Sequence, residues 1–314
     1  MNTNNQLPLV IYHANCADGF TAAWAVHKAM PAEFHAAAYG APMPDTTGRD
    51  VILVDFCYKP AQMLEVQQKA RSILVLDHHK SAADELPAEP RTGMEHLTVI
   101  RMDAASWRTP KSWGYVQSCA YQDICEGINK AIVYAYFDMH RSGAGIAWDF
   151  FHPTTPRPAL VNHVEDRDLW RFALAGTREI QATVFSHRYS FETWDMLAQM
   201  DPAELRKQGE AIERKHHKDV AELVAVCRRP MTIAGHTVDV ASLPHTLTSD
   251  AGGLMAEGEP FAACYWDTAT HRVFSLRSRD DGIDVSVIAQ SYGGGGHRNA
   301  AGFRVPRDHE LARA

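Results

Sequence analysis

Three apolar runs near the start of the chain each stop on a side chain able to bind a cation or a phosphate. They are Leu9-Val10-Ile11-Tyr12-His13, Val51-Ile52-Leu53-Val54-Asp55 and Ser72-Ile73-Leu74-Val75-Leu76-Asp77-His78-His79. Such runs are short and unbroken, which predicts strands buried on both faces. The segments between them read as helices: Asp18-Gly19 opens one over about Thr21 to Met30, and Pro60 suits the first turn of another reaching about Ala70. Strand and helix in alternation predict a parallel sheet, whose strand ends share the edge where open α/β sheets place ligands.

Residues 84–130 carry prolines and little sustained period, so a surface excursion or a lid over the site is expected there. Order resumes with a strand over 131–138, a helix begun by Ser142-Gly143-Ala144-Gly145, and a short helix leading to Val164-Glu165-Asp166-Arg167-Asp168-Leu169-Trp170. From Pro202 to Cys227 a charged helix puts Leu205, Ile212, Val220 and Leu223 roughly on one face. Beyond it come a strand pair over 231–241, strands at 261–266 and 272–277, and a helix over 285–291. The fold class is therefore α/β. A parallel-sheet domain spans 1–200, a linker helix lies within 201–228, and a smaller α/β domain occupies 229–314.

Composition narrows the function. Thirty-one basic residues against thirty-eight acidic ones leave a formal charge of −7, so no overall field gathers nucleic acid, and a polyanion must be held locally. The six cysteines contain no CxxC pair, which argues against structural zinc and a disulfide scaffold. The amino terminus lacks signal-peptide features and no apolar run approaches membrane length, so a cytoplasmic protein without membrane contact is expected.

Each candidate residue has a plain reading when taken alone: Asp18 as a helix cap, His78-His79 as surface, Glu165 to Asp168 as solvated charge. Three strand ends carrying acids or imidazoles change that balance, because carboxylates left unpaired there carry a desolvation cost. Metal is the economical explanation, and imidazole with carboxylate suits manganese, with magnesium, iron and zinc also compatible. Lys215-His216-His217-Lys218 is a weaker lure, since adjacent helical residues point about 100° apart. Near the end, Gly293-Gly294-Gly295-Gly296-His297-Arg298 predicts a backbone nest for phosphate, with His297 and Arg298 adding charged contacts.

These residues resemble the DHH phosphoesterases, a family that includes RecJ-like exonucleases, nano-RNases, cyclic-dinucleotide phosphodiesterases and manganese pyrophosphatases. Asp77-His78-His79 looks like the naming motif, His13 to Gly19 like the first motif and Asp55 like the second, while the 164–170 stretch looks like the fourth. The glycine run followed by Ala300-Ala301-Gly302 is similar to the DHH-associated substrate-binding domain, and Ser275-Leu276-Arg277-Ser278 to its arginine-bearing strand.

The resemblance implies one metal on His13, Asp18 and Asp55. It implies a second on Asp55, His78 and a later aspartate, with Asp166 preferred to Asp168. His79 would act on the phosphate, Asp77 would support it, and Gly294, Gly295, Gly296, His297, Arg298 and Arg277 would hold substrate. One departure stands out: Phe20 occupies the place where many members carry a second aspartate, which removes a ligand from the second metal. The loop from His13 to Asp18 is also one residue longer than in the commonest versions.

The expected function is a Mn2+-dependent phosphodiesterase with two metals, Mg2+ serving in place, that cuts short or single-stranded RNA or DNA oligonucleotides from an end. Cyclic dinucleotides, small phosphates such as pyrophosphate, and a non-catalytic nucleotide-binding role are the alternatives. A homodimer is compatible with this reading.

Overall fold

The computed structural model describes residues 6–86, 97–102, 113–114, 116–117 and 131–313. Most of the segment read above as an excursion or lid lies outside them, as do Cys119 and Cys125. The chain divides into two compact units, Met1–Glu210 and Ala211–Ala314.

The first unit is built on a six-stranded sheet of β1 (Leu9–His13), β2 (Glu33–Ala37), β3 (Asp50–Val54), β4 (Ser72–Asp77), β5 (Val99–Arg101) and β6 (Val133–Phe137). Their order is β2-β1-β3-β4-β6-β5, and every pairing is parallel. The fold class is thus α/β, as the alternating pattern predicts. Residues of alternating parity serve two cores. Val10, Ile52, Val54, Leu74 and Leu76 pack against α1 (Ala17–Ala29), α4 (Gly143–Phe151) and α5 (Ala159–Asp168), with α2 (Pro60–Lys69) and α3 (Lys80–Glu85) on the other face. That second face is filled by Leu9, Ile11, Val51, Leu53, Ile73 and Val75 with Met63, Val66 and Ala82. Burial on both faces explains why these strands are unbroken apolar runs.

Strand order reverses at β1, which has β2 on one side and β3 on the other. Open α/β sheets form their ligand crevice at such a reversal, outside the carboxyl ends of the strands. His13 closes β1 and Asp55 follows β3, so both stand at that point. Helices α6 (Thr177–Ser186) and α7 (Phe191–Gln199) complete the first core through Ile180, Val184, Trp194 and Leu197.

The charged helix α8 runs over Pro202–Cys227, its part from Ala211 onward belonging to the second unit. In that unit a mixed sheet takes the order β11-β12-β10-β9-β8-β7, formed by β7 (Arg229–Ile233), β8 (His236–Ser242), β9 (Ala262–Asp267), β10 (His271–Arg277), β11 (Gly295–Gly296) and β12 (Ala300–Pro306). Only the β8–β9 pairing is parallel. Helices α9 (Thr248–Met255), α10 (Val285–Ser291) and α11 (Glu310–Arg313) complete the unit. Among the described residues no helix is long and apolar enough to cross a membrane.

Candidate metal centre

Three carboxylates surround one imidazole nitrogen. His78 Nε2 lies 3.1 Å from Asp55 Oδ1, 3.4 Å from Asp168 Oδ2 and 3.6 Å from Asp18 Oδ2. Asp18, Asp55 and His78 are buried, while Asp168 is reached by solvent. Burial works against a charged His78, but its hydrogen bond to Asp55 and the charges of Asp168, Asp55 and Asp18 prevail and raise its pKa to about 10. Burial likewise opposes ionisation of Asp55, yet the imidazoles of His13, His78 and His79 hold its carboxyl well below the usual range. Asp18 is pushed up, first by burial and then by Asp55 and Asp168. Three carboxyl groups crowded around one imidazole concentrate negative charge that a divalent cation would offset.

Each side chain has an evident local cause. Asp55 sits in the left-handed region at φ 51°, a conformation that aspartate tolerates better than most residues and that turns its carboxylate out of the sheet. Asp18 is docked on the amino terminus of α4, where its Oδ2 accepts the N–H of Gly143 at 2.7 Å and its Oδ1 that of Ala144 at 3.0 Å. Helix amino termini favour anions for this reason. Gly143 is required by the fit: a Cβ there would fall 2.4 Å from Asp55 Cβ and 2.9 Å from Asp18 Oδ2. Glu165, plain surface charge on sequence grounds, in fact accepts the N–H of Ser142 and an N–H of Arg157, pinning the same helix end.

Asp77 orients its neighbours. Its Oδ1 accepts the backbone N–H groups of His78 at 2.7 Å and His79 at 3.2 Å, and the His79 ring nitrogen Nδ1 donates to it at 2.7 Å. That bond assigns the His79 tautomer with its lone pair on Nε2. Burial disfavours a charged His79, and Asp77 overcomes it, raising the pKa.

The donors form overlapping groups whose ligand atoms lie within 4.8 Å of one another: Asp55, Asp77, His78 and His79; Asp18, His78 and Asp168; and His13, Cys16 and Asp55. Asp55 Oδ2 is buried and accepts no hydrogen bond among the described residues, with His13 Nδ1 at 3.7 Å. An orphaned buried carboxylate oxygen amid imidazoles and acids fits a cation.

One sequence expectation is corrected here. Asp166, preferred above, does not face the group; its carboxylate accepts the N–H groups of Ala173 and Leu174 and the Thr177 hydroxyl, so it shapes the turn after α5. Asp168 is the acid beside His78. Asp18 lies in a group with His78 and Asp168, and His13 in one with Cys16 and Asp55.

Phe20 does not face the group either. It packs among Trp194, Phe191, Tyr189 and Tyr12 with ring centroids 4.7 to 5.8 Å apart.

In the second unit the glycine run has structural duties that the nest reading overlooked. Gly293 at φ 77° and Gly294 end α10, donating their N–H groups to Gln290 and Ala289 in the pattern of a Schellman motif. Gly295 and Gly296 pair with Gly302 and Ala301, and a Cβ at Gly294 would meet the Gly302 carbonyl at 2.1 Å. His297 exchanges backbone hydrogen bonds with Ala300 in the turn that follows. Arg298 donates to the carbonyls of Asp280 and Gly282, and Arg277 to Ser249, Ser275 and the Leu276 carbonyl.

No protein-family model matches the chain. Over 95% of its length it is 25% identical to the uncharacterized protein R106 of Acanthamoeba polyphaga mimivirus, of which it spans 68%. Among solved structures it is similar to the pGpG-specific phosphodiesterase PggH of Vibrio cholerae (14% identity, 96% of this chain and 94% of that one, TM-score 0.44). RecJ of Thermus thermophilus in complex with Mn2+ also matches (12% identity, 95% of this chain and 49% of that one, TM-score 0.41). So does an exopolyphosphatase-related protein from Bacteroides fragilis (11% identity, 98% and 89%, TM-score 0.41). Likenesses of this degree carry no argument about the reaction, which must come from the chain's own residues.

Proposed function

We propose that the chain is a metal-dependent phosphodiesterase acting on short or single-stranded oligonucleotides from an end. The observation that carries the reading is the ring of Asp18, Asp55 and Asp168 around His78 Nε2, with a buried oxygen of Asp55 left over. His13, Asp18, Asp55, His78 and Asp168 would hold divalent cations, manganese or magnesium in the carboxylate-rich part. When bound, such ions lower the pKa of a water and offset charge on a phosphate.

The chain's own residues do the rest. Asp77 fixes the ring of His79, whose Nε2, once protonated, donates to a phosphate oxygen, and, when neutral, can take a proton from a water. The amino terminus of α4 holds the Asp18 carboxyl in place through the N–H groups of Gly143 and Ala144. Within the second unit, Arg277, His297 and Arg298 are assigned to a substrate phosphate or terminal nucleotide, with Gly294 to Gly296 shaping the backbone that presents them. With net charge −7, a few nucleotides suit the chain better than a long duplex.

The test is hydrolysis of end-labelled dinucleotides, longer RNA and DNA strands, cyclic dinucleotides and pyrophosphate, with manganese and with chelator. Stepwise shortening of short strands that chelator abolishes is expected. Turnover of pyrophosphate or cyclic dinucleotides alone transfers the proposal to those substrates, and no turnover of any member overturns it.

A further inference from the structure

Cys16 has no part in the reading so far, and its position is unusual. It is the residue that caps α1, a place where serine, threonine, aspartate or asparagine is preferred because the side chain accepts a helix N–H. Its side chain forms no regular cap bond and meets the Gly19 N–H only as a weak sulfur acceptor, while its carbonyl accepts the N–H of Phe20. Sulfur is the poorest acceptor among the residues that could stand there, so capping alone does not account for a thiol. The Sγ instead shares a group with a ring nitrogen of His13 and a carboxylate oxygen of Asp55, all within 4.8 Å of one another. An independent observation points to a ligand at the same place. Asp55 is 1% exposed, and its Oδ2 has no hydrogen-bond donor among the described residues.

Sulfur, imidazole nitrogen and carboxylate oxygen make a donor set quite unlike the carboxylate-rich group around His78. Oxygen donors suit magnesium and manganese, whereas a thiolate selects softer ions. We infer that Cys16 is a ligand, and that the position formed by His13, Cys16 and Asp55 takes a borderline-soft divalent ion of the zinc, iron(II) or cobalt(II) class. The inference rests on the cluster being a cation site, as the proposed function requires, and goes beyond it by making the two positions chemically unequal. On binding, the S–H proton passes to buffer as the sulfur–metal bond forms, so charge and atoms balance with no oxidant or reductant.

Cobalt(II) is the probe. Thiolate ligation gives an intense near-ultraviolet charge-transfer band that oxygen and nitrogen donors do not, and visible bands report bound cobalt whatever its ligands. The full-length protein is titrated with cobalt(II) under argon with a phosphine reductant, alongside Cys16→Ser. Serine is a preferred residue at this helix position, so the variant keeps α1 intact, which far-ultraviolet circular dichroism verifies. Any signal from the remaining cysteines is common to both proteins and cancels in the difference. The expected result is a charge-transfer band in the parent, its loss in Cys16→Ser, and more than about tenfold weaker cobalt binding. Visible bands without a charge-transfer band, or a band equal in both proteins, overturns the role of Cys16 and leaves the cation site standing. No cobalt bound to the parent overturns both.

Discussion

Asp18 Oδ2 lies 2.7 Å from the backbone nitrogen of Gly143, which is 125 positions further along the chain. The contact joins the first turn of α1 to the first turn of α4 and sets one wall of the carboxylate ring. It exists only because position 143 has no side chain. Gly143→Ala would place a methyl group 2.4 Å from Asp55 Cβ, inside contact distance. Relief by backbone shift is expected to lower stability by about 1–3 kcal/mol and to spread the carboxylates. Denaturant unfolding and metal-dependent turnover measure the two effects, and parental values in both contradict the cradle.

Asp77 acts through its neighbours, accepting three N–H groups with one oxygen. Asp77→Asn removes the charge that holds the His79 tautomer. A loss of about 10–100-fold in metal affinity or turnover is expected, with unchanged far-ultraviolet circular dichroism. The pH dependence of turnover should also move, which a purely structural role would not cause.

Phe20 stands where the sequence resemblance implies an acid, so Phe20→Asp looks from sequence like a repair. The structure predicts the opposite. The ring is 6% exposed and packed among four aromatic side chains, and its loss alone removes about 3–5 kcal/mol. A carboxylate left in that apolar pocket adds a desolvation penalty. Thermal unfolding should show severe destabilisation and no gain in metal binding; a stable variant binding an extra ion contradicts the packing argument.

Asp267 gives a pH prediction far from the metal centre. Hydrogen bonds from Arg272 and then Arg307 hold it at about 2, against about 3.9 for an unfolded chain. A depressed carboxyl adds stability that is complete above about pH 4 and drains away as pH falls toward 2. Its side chain is 36% exposed, so solvent screening limits the contribution to on the order of 1 kcal/mol. Asp267→Asn should unfold at lower urea than the parent near neutral pH, and the gap should close in acid. A gap independent of pH contradicts the assignment.

The parts legible in the sequence are those where one physical demand dominates. Strands β3 and β4 are buried throughout, so residues 51–54 and 73–76 are unbroken apolar runs, and the polar residue that follows each run marks the ligand edge. Helix α8 shows its apolar spacing at Leu205 and Val220, which are buried, whereas Ile212, expected on the same face, is exposed. Strand β2 went unread because Glu33-Phe34-His35-Ala36-Ala37 lies at the sheet edge, half in water, and carries no strong pattern. Strand β12 was hidden by its glycine-bounded Ala300-Ala301-Gly302, which reads as a ligand motif although it is a pairing partner for Gly295 and Gly296.

Within the site, Asp166 and Asp168 are alike in composition and two positions apart. Only the turn at 173–177, which claims Asp166, decides between them. Cys16 did leave a signal, a thiol in a capping position, but cysteines considered only as pairs pass over it.

The central claim is that the acids around His78 form a site for divalent cations. Electron paramagnetic resonance of Mn2+ titrated into the parent and into Asp55→Ala tests it most directly, because free and bound manganese give distinct signals. The account predicts saturable loss of the free-ion signal with the folded parent and at least about 100-fold weaker binding in the folded variant. A parent that leaves manganese free, or a variant that binds it as the parent does, would contradict the account.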